Sequence, residues 1–415
     1  MSELDLDVLI IGAGPAGALA ASALNREGFK IDVVEKQTFP RFVIGESLLP
    51  HSMDLLQDAG LLDAVERQGF MRKHGAVFLR GAEVCNFDFA NQSGGGWDYT
   101  YQVTRADFDK TLADTVAAQG VRIDYGQTVT AVDFNKDRAA VTVKGAEGAS
   151  RTVAAKFVLD CSGYGRVLPR LLDLEKPANS PPKESMFTHV SGDARPLGRE
   201  EGKIWVCMHP QGAWIWIIPF SNGNSSVGVV ADPEFFKKFS GTEEERLRAM
   251  IMGDENAAAR LGQAKILFPP QSIKGYSCAV KRLWGPRYAL TGNASEFLDP
   301  IFSSGVTLAL ESANRAVHVL TRHLRGEPVN WDTEYSEYVM QGVNTFRAYV
   351  MAWYNERLPQ IFFAAQRNPD IMRQICSVLA GYVWDESNPF VHQAERAIGV
   401  LSELVRLQAG PAGAR

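Results

Sequence analysis

The run Leu6-Asp7-Val8-Leu9-Ile10-Ile11, followed at once by Gly12-Ala13-Gly14-Pro15-Ala16-Gly17, leaves this chain few folds to choose from. Six nearly all-apolar residues, half of them β-branched, read as a strand buried on both faces, which belongs to a parallel sheet. The G-x-G-x-x-G that follows opens a helix over Ala16–Glu27, and Lys30–Val34 reads as a second strand. Together they form a βαβ unit of about 30 residues. Gly12 permits the tight turn, Gly14 lets the backbone approach a pyrophosphate, and Gly17 lets helix and strand pack closely. The helix start at Ala16 offers unpaired N–H groups and a positive dipole end to phosphates. Glu35 closes the second strand, where a carboxylate meets ribose hydroxyls. An acid rather than an arginine at that point favours FAD or NAD over NADP.

The 415 residues are 46% hydrophobic and 22% charged, an ordinary globular balance that sets aside disordered, collagen-like and coiled-coil classes. Two or three packed units are expected from the length. Lys and Arg number 43 against 48 Asp and Glu, for a formal charge of -5. That balance provides no overall cationic field, so no nucleic-acid partner is expected. The five cysteines (Cys85, Cys161, Cys207, Cys278 and Cys376) show no C-x-x-C pairing. They fit a reducing, cytoplasmic setting and argue against a disulfide scaffold or a structural zinc, and no metal site is expected. The acidic start ahead of a short apolar run does not read as a signal peptide. No uncharged apolar run is long enough for a transmembrane segment.

Further along, helical spacing predicts a helix over about 51–67, strands over 76–91 and 98–103, and a helix over Arg105–Ala118. Strands follow within 121–145, and Phe157-Val158-Leu159-Asp160 ends another. The stretch 171–200, rich in Pro, Ser and Lys, reads as a loop or lid. Alternation over 203–208, 213–219 and 225–230 predicts an antiparallel sheet. A helix over 242–253 comes next, the parallel signature returns at Arg287–Gly292, a helix spans about 304–324, and from 331 the character is helical and aromatic.

Three motifs lie in order along this frame. Arg105-Ala106-Asp107-Phe108-Asp109 opens a helix, Asp160-Cys161-Ser162-Gly163 closes a strand, and Thr291-Gly292-Asn293-Ala294 precedes Asp299-Pro300. The chain thereby resembles, from residue 6 to about 325, the two-dinucleotide-domain flavoproteins of the para-hydroxybenzoate hydroxylase type. The resemblance implies FAD, with Arg105 reaching the pyrophosphate and Asp160 in the strand-end turn. Asn293 stands where that family usually has an aspartate on ribitol; it can hydrogen-bond a hydroxyl without carrying charge. The other cofactor residues expected are Gly12, Gly14, Ala16, Gly17, Glu35, Lys36, Arg41, Ser47, Pro300, Gly305 and Val306. The fold expected is α/β: a Rossmann-type FAD-binding domain (1–80, 101–170 and 280–330), an inserted antiparallel β-sheet substrate domain (81–100 and 171–279) and a C-terminal helical region (331–415).

Four further segments narrow the resemblance. They are Gly45-Glu46-Ser47-Leu48-Leu49-Pro50, Lys73 within Arg72-Lys73-His74-Gly75-Ala76, Trp214-Ile215-Trp216-Ile217-Ile218-Pro219, and Asp299-Pro300-Ile301-Phe302-Ser303-Ser304-Gly305-Val306. These resemble the flavin-dependent halogenases that act on phenols and on carrier-protein-bound pyrroles or aryl groups. Tryptophan halogenases carry a Glu near the position of Phe302 and are longer, so that branch is disfavoured. The resemblance implies FADH2 from a separate flavin reductase, O2, and chloride or bromide as co-substrate. Hydroperoxyflavin would oxidise the halide to hypohalous acid, guided to Lys73 for delivery to an electron-rich aromatic, free or on an acyl carrier protein. Lys73 would act by hydrogen bonding or as a haloamine, the second route requiring burial to lower its pKa from about 10.4. Ser304 and Gly305, with Val306, would offer backbone N–H groups to the halide at a positive helix end.

Trp214 and Trp216 share one strand face and read either as a barrier between substrate and flavin or as plain core. His74, His189 and His209 read as packing or surface residues. Lys237 and Lys238, or Arg367 and Arg373, are candidate basic contacts for an acidic carrier, with a solvated face as the bland reading. An aromatic monooxygenase, a geranylgeranyl-reductase-like enzyme and a flavin-binding protein without turnover are the competing readings.

Overall fold

Leu6–Ile11 is apolar on both faces because it lies in the interior of an eight-stranded sheet. The structure is a computed structural model and describes residues 6–177, 182–275 and 278–409. Parallel neighbours Ile31–Glu35 and Ser150–Asp160 flank the first strand, and Arg122–Tyr125 and Tyr288–Leu290 extend the sheet outward. The opening helix, Pro15–Arg26, buries Ala16, Gly17, Ala18, Ala20 and Ala21, small residues that let it sit close to its neighbours, and packs against the helix Ser304–Leu324. Ile11 is level with Val34 and Asp160, and Asp160 with Leu290. The turns leaving these four strands therefore emerge along one edge, the place where such sheets hold ligands.

A second eight-stranded sheet runs in the order 265–266, 184–191, 224–231, 213–219, 204–209, 75–80, 83–88, with 271–274 also paired to 184–191. Alternation decides its faces. Ile215 and Ile217 point into a satellite core with Val227, Val229, Leu247 and Met250, whereas Trp214, Trp216 and Ile218 join the main core.

Three expectations change. The stretch 171–200 contains the strand Glu184–Ser191, paired along its length with Asn224–Ala231; its polar residues masked a strand whose partner supplies the order (residues 178–181 lie outside the described residues). The helix expected over 51–67 is two, His51–Asp58 and Leu62–Glu66, because Gly60 between them takes φ +70. Gly75–Arg80, placed by sequence with the nucleotide-binding unit, pairs in parallel with Ile204–His209 of the second sheet.

Beyond residue 331 come the helices Tyr338–Tyr354, Arg357–Phe362, Pro369–Leu379 and Ala394–Ala409. Phe78, Phe302, Trp353 and Phe362 form one aromatic cluster that ties this region to the second sheet, through Phe78, and to the turn Pro300–Phe302 that precedes the helix Ser304–Leu324. Among the described residues no helix is long and apolar enough to cross a membrane.

Candidate active site

A cavity of about 550 Å³ opens at the strand-end edge. Gly12, Gly14 and Ala16 line it, with Glu35, Lys36, Arg41, Ser47, Arg105, Asn293, Pro300, Gly305, Val306, Trp214 and Trp216. The glycines earn their places by contact. Gly12 has φ +97, and a Cβ there would lie 2.6 Å from the Cys161 carbonyl oxygen. Gly17 does not face the cavity; a Cβ on it would lie 1.9 Å from the Gly12 carbonyl oxygen, so its role is close packing. Glu35 accepts from the Ala13 amide at 2.9 Å and the Gln37 amide at 2.8 Å, pinning the glycine turn to the second strand.

Asp160 also stands back from the cavity. Buried, it accepts from the Ser162 amide at 2.9 Å and the Leu168 amide at 2.6 Å, and thereby shapes the loop whose residues Cys161–Gly165 line the wall. Its expected place in the strand-end turn stands, but its carboxylate serves that turn rather than the cavity. Four polar atoms of cavity-lining residues, Arg41 Nε and Nη1, Glu46 Oε2 and Ser47 Oγ, are buried and have no hydrogen-bond partner among the described residues. Such groups are costly unless a ligand or water meets them. Together with the glycine cradle they fit the phosphates and hydroxyls of a dinucleotide.

At the far end, Ser303 adopts a left-handed conformation (φ 56) and starts the 21-residue helix Ser304–Leu324 without a side-chain cap. Its first N–H groups are therefore left for a ligand. Gly305 and Val306 line the cavity; the Ser304 side chain is buried behind it.

Trp216 donates to Ser226 Oγ at 3.0 Å and lies over Gly228, where a Cβ would lie 2.3 Å from its ring. Trp214 donates to Tyr354 Oη at 3.1 Å, and that hydroxyl donates to Asp299 Oδ2 at 2.8 Å. The two indoles are 5.8 Å apart. Glu46, buried at the wall, pairs with His189 at 2.7 Å, so His189 does more than pack.

Lys73 is not part of this wall. It ends the short strand Met71–Lys73, paired to Thr100–Gln102, and is 1% exposed. Its Nζ donates to the Leu48 carbonyl at 2.8 Å and sits 5.5 Å above the Phe89 ring. Among the described residues no carboxylate forms an ion pair with it, and burial alone pushes its ammonium down to about 7. The segment around Leu48 bridges the two places: Ser47 faces the cavity and the next carbonyl holds Lys73. Opposite Lys73, the Thr100 hydroxyl is buried with no partner among the described residues.

Asp109, Thr100 and Tyr354 have no role of their own in the sequence reading, and His189 reads there only as a packing or surface residue. Asp109 carries a signal, its i,i+4 spacing from Arg105. Tyr354 carries none, because it meets Trp214 only through the tertiary fold. Of the candidate carrier contacts, Lys237 pairs with Glu234 at 2.6 Å, Arg373 pairs with Asp370, and Arg367 donates to the Phe362 carbonyl at 2.9 Å. Lys237 and Arg373 are thus paired with carboxylates, while Arg367 is held by a backbone carbonyl and keeps its charge.

With this geometry, similarity to known proteins becomes informative. The FAD binding domain family matches residues 5–334. A tryptophan 2-halogenase from Chondromyces crocatus is 33% identical over 373 residues, 87% of this chain and 70% of that protein. The chain belongs to the flavin-dependent halogenases. A 1H-pyrrole-2-carbonyl-[peptidyl-carrier protein] chlorinase from Pseudomonas fluorescens is 29% identical over 416 residues, covering 92% of this halogenase and 91% of its relative. The crystal structure of a flavoprotein/dehydrogenase from Cytophaga hutchinsonii superposes with a TM-score of 0.95 at 48% identity, over 98% of this chain and 100% of that one. Relatives named for tryptophan and for a carrier-bound pyrrole both match, so similarity by itself does not choose this halogenase's substrate. Its cofactor is FAD, with halide as co-substrate.

Proposed function

We propose that this halogenase acts on an electron-rich aromatic ring, a phenol or a pyrrole, presented on an acyl carrier protein, and receives reduced FAD from a separate reductase. The similarity to the carrier-bound pyrrole chlorinase over nearly its full length supports the carried substrate. The five free cysteines suit a cytoplasmic setting.

The observation that carries the chemical reading is Lys73, a buried amine without a counter-charge, linked through Leu48 to the cavity wall. Reduced FAD with dioxygen supplies the two-electron oxidant for the halide. The chain's own residues then divide the work. Gly12, Gly14, Ala16, Lys36 and Arg41 hold the dinucleotide, with Glu35 at its ribose and Asn293 and Pro300 at its far end. The N–H groups of Ser304, Gly305 and Val306 hold the halide at a positive helix end. Trp214 and Trp216 wall the cavity, so the ring to be halogenated meets the oxidised halogen at Lys73 rather than at the flavin. Near neutrality Lys73 is split between ammonium and amine. The ammonium would donate to the oxygen of hypohalous acid and polarise its halogen. The amine form would take the halogen from hypohalous acid as the O–halogen bond breaks, with the hydroxide leaving as water on one amine proton. It would then pass the halogen to the ring in exchange for a ring proton.

Mass spectrometry tests this reading. The protein, FAD, a flavin reductase with NADH, oxygen and chloride or bromide are incubated with free and carrier-loaded phenols and pyrroles. A halogen isotope pattern on a carrier-loaded ring, absent with Lys73→Ala, is the expected result. Halogenation of free rings alone removes the carrier; a gain of one oxygen in place of halogen, or full halogenation by Lys73→Ala, removes the role given to Lys73.

A further inference from the structure

Arg105, the residue expected at the pyrophosphate, has little left to give a ligand. Of a guanidinium's five N–H groups, Nε–H donates to Asp109 Oδ1 at 2.7 Å and one on Nη2 to Asp109 Oδ2 at 3.0 Å. Nη1 donates to the carbonyls of Ile44 at 3.1 Å and Gly45 at 3.3 Å. One N–H remains. Arg41 is in the opposite condition. Its Nη1 lies 3.1 Å from Asp109 Oδ2 in an ion pair, its guanidinium carbon rests 4.7 Å from the Phe39 ring centroid, and neither Nε nor Nη1 makes a hydrogen bond among the described residues. Its Nη2 lies 3.5 Å from where a Cβ on Gly14 would stand, so it faces the very turn that must receive the phosphates.

Asp109 connects the two. Its side chain is 1% exposed, lies one helical turn beyond Arg105, and shares one carboxylate between two guanidiniums. Its Oδ2 lies 3.9 Å from the same Cβ position on Gly14. A carboxylate so near a phosphate site opposes the incoming anion by charge. Its presence there is intelligible only if it supplies orientation worth more than that repulsion.

We propose that Asp109 is the positioning residue of the pyrophosphate site: it commits Arg105 to the Ile44–Gly45 backbone and aims Arg41, the guanidinium with free donors, at the Gly14 turn. The inference rests on FAD as the cofactor and is independent of which ring is halogenated.

FAD affinity, read from flavin fluorescence on titrating flavin-free protein, tests it without turnover. Asp109→Asn makes the site one charge more positive yet loses the fork, and its FAD Kd is expected to rise about tenfold. Arg41→Gln is expected to lose at least as much. The double variant is expected to bind within about twofold of Arg41→Gln, since Asp109 acts through Arg41. Unchanged or tighter binding by Asp109→Asn, as added positive charge alone dictates, overturns the proposal. So do losses that multiply in the double variant. Should Asp109→Asn fail to fold by circular dichroism, Arg41→Lys decides: it keeps the charge without the fork, and parental affinity in that variant overturns the proposal.

Discussion

Lys73 makes a prediction about folding that is separate from catalysis. Burial lowers its proton affinity from an ordinary pKa of 10.5 to about 7, and none of the described residues supplies it a carboxylate. Between those two values the unfolded chain binds the proton better than the folded one. Stability therefore rises with pH through that window, and the full cost is present below pH 7. From pH 7 to pH 9 the gain is about 2 kcal/mol, from 1.36 kcal/mol per pKa unit with half the folded molecules already neutral at the start. Lys73→Met removes the titration while filling the space with a chain of similar length. Urea unfolding of parent and variant at both pH values, in matched salt, reads the difference and cancels every other titrating group. The parent is expected to gain about 2 kcal/mol on the variant over that range. Parallel behaviour of the two proteins would show that the ammonium is solvated or paired in solution, and would remove the physical basis for a part-neutral lysine at pH 7.

His51 runs the other way. Burial opposes its charge, but Asp54 at 3.3 Å and Glu311 at 3.0 Å raise it to about 9, so it stabilises fully below pH 6.5 and loses that contribution as pH climbs through 9. His51→Gln is expected to lose less stability than the parent between pH 7 and 9, by about 2 kcal/mol, in the same urea experiment. Since the Lys73 and His51 terms nearly cancel, the parent's own curve over this range is expected to owe little to the pair, and each variant exposes the other. Gly12→Ala drives a Cβ to 2.6 Å from the Cys161 carbonyl in a left-handed backbone; it is expected to abolish FAD binding in a fluorescence titration and to lower the melting temperature. Tyr354→Phe strips the hydroxyl shared by Trp214 and Asp299 and is expected to cost about 1–3 kcal/mol. It should also raise the flavin oxidised per halogenated product, as measured by oxygen uptake against product.

Much of this protein was written locally. The opening strand, the glycine turn and the helix Arg105–Ala118 follow from hydrophobic period and glycine spacing, and the helix Ser304–Leu324 begins where its sequence changes character. Trp214 and Trp216 share a face because strand side chains alternate, which two residues' spacing already states. These are short-range facts: a φ that only glycine tolerates, a period of 2 or 3.6, a helix end with unpaired N–H groups.

Tertiary structure decided the rest, wherever a residue's meaning depends on a distant neighbour. Glu184–Ser191 is a strand because Asn224–Ala231 pairs with it, and Tyr354 matters because the fold carries the end of the helix Tyr338–Tyr354 to Trp214. Arg105 and Arg41 have the same chemistry and share Asp109, and only the two hydrogen bonds of Arg105 to that carboxylate and its hold on the carbonyls of Ile44 and Gly45 separate the pinned guanidinium from the one with open donors. Lys73 is the sharpest case. Its type and position were legible in the chain, but its proton affinity was not, because desolvation is a property of everything packed around an amine and of no residue by itself.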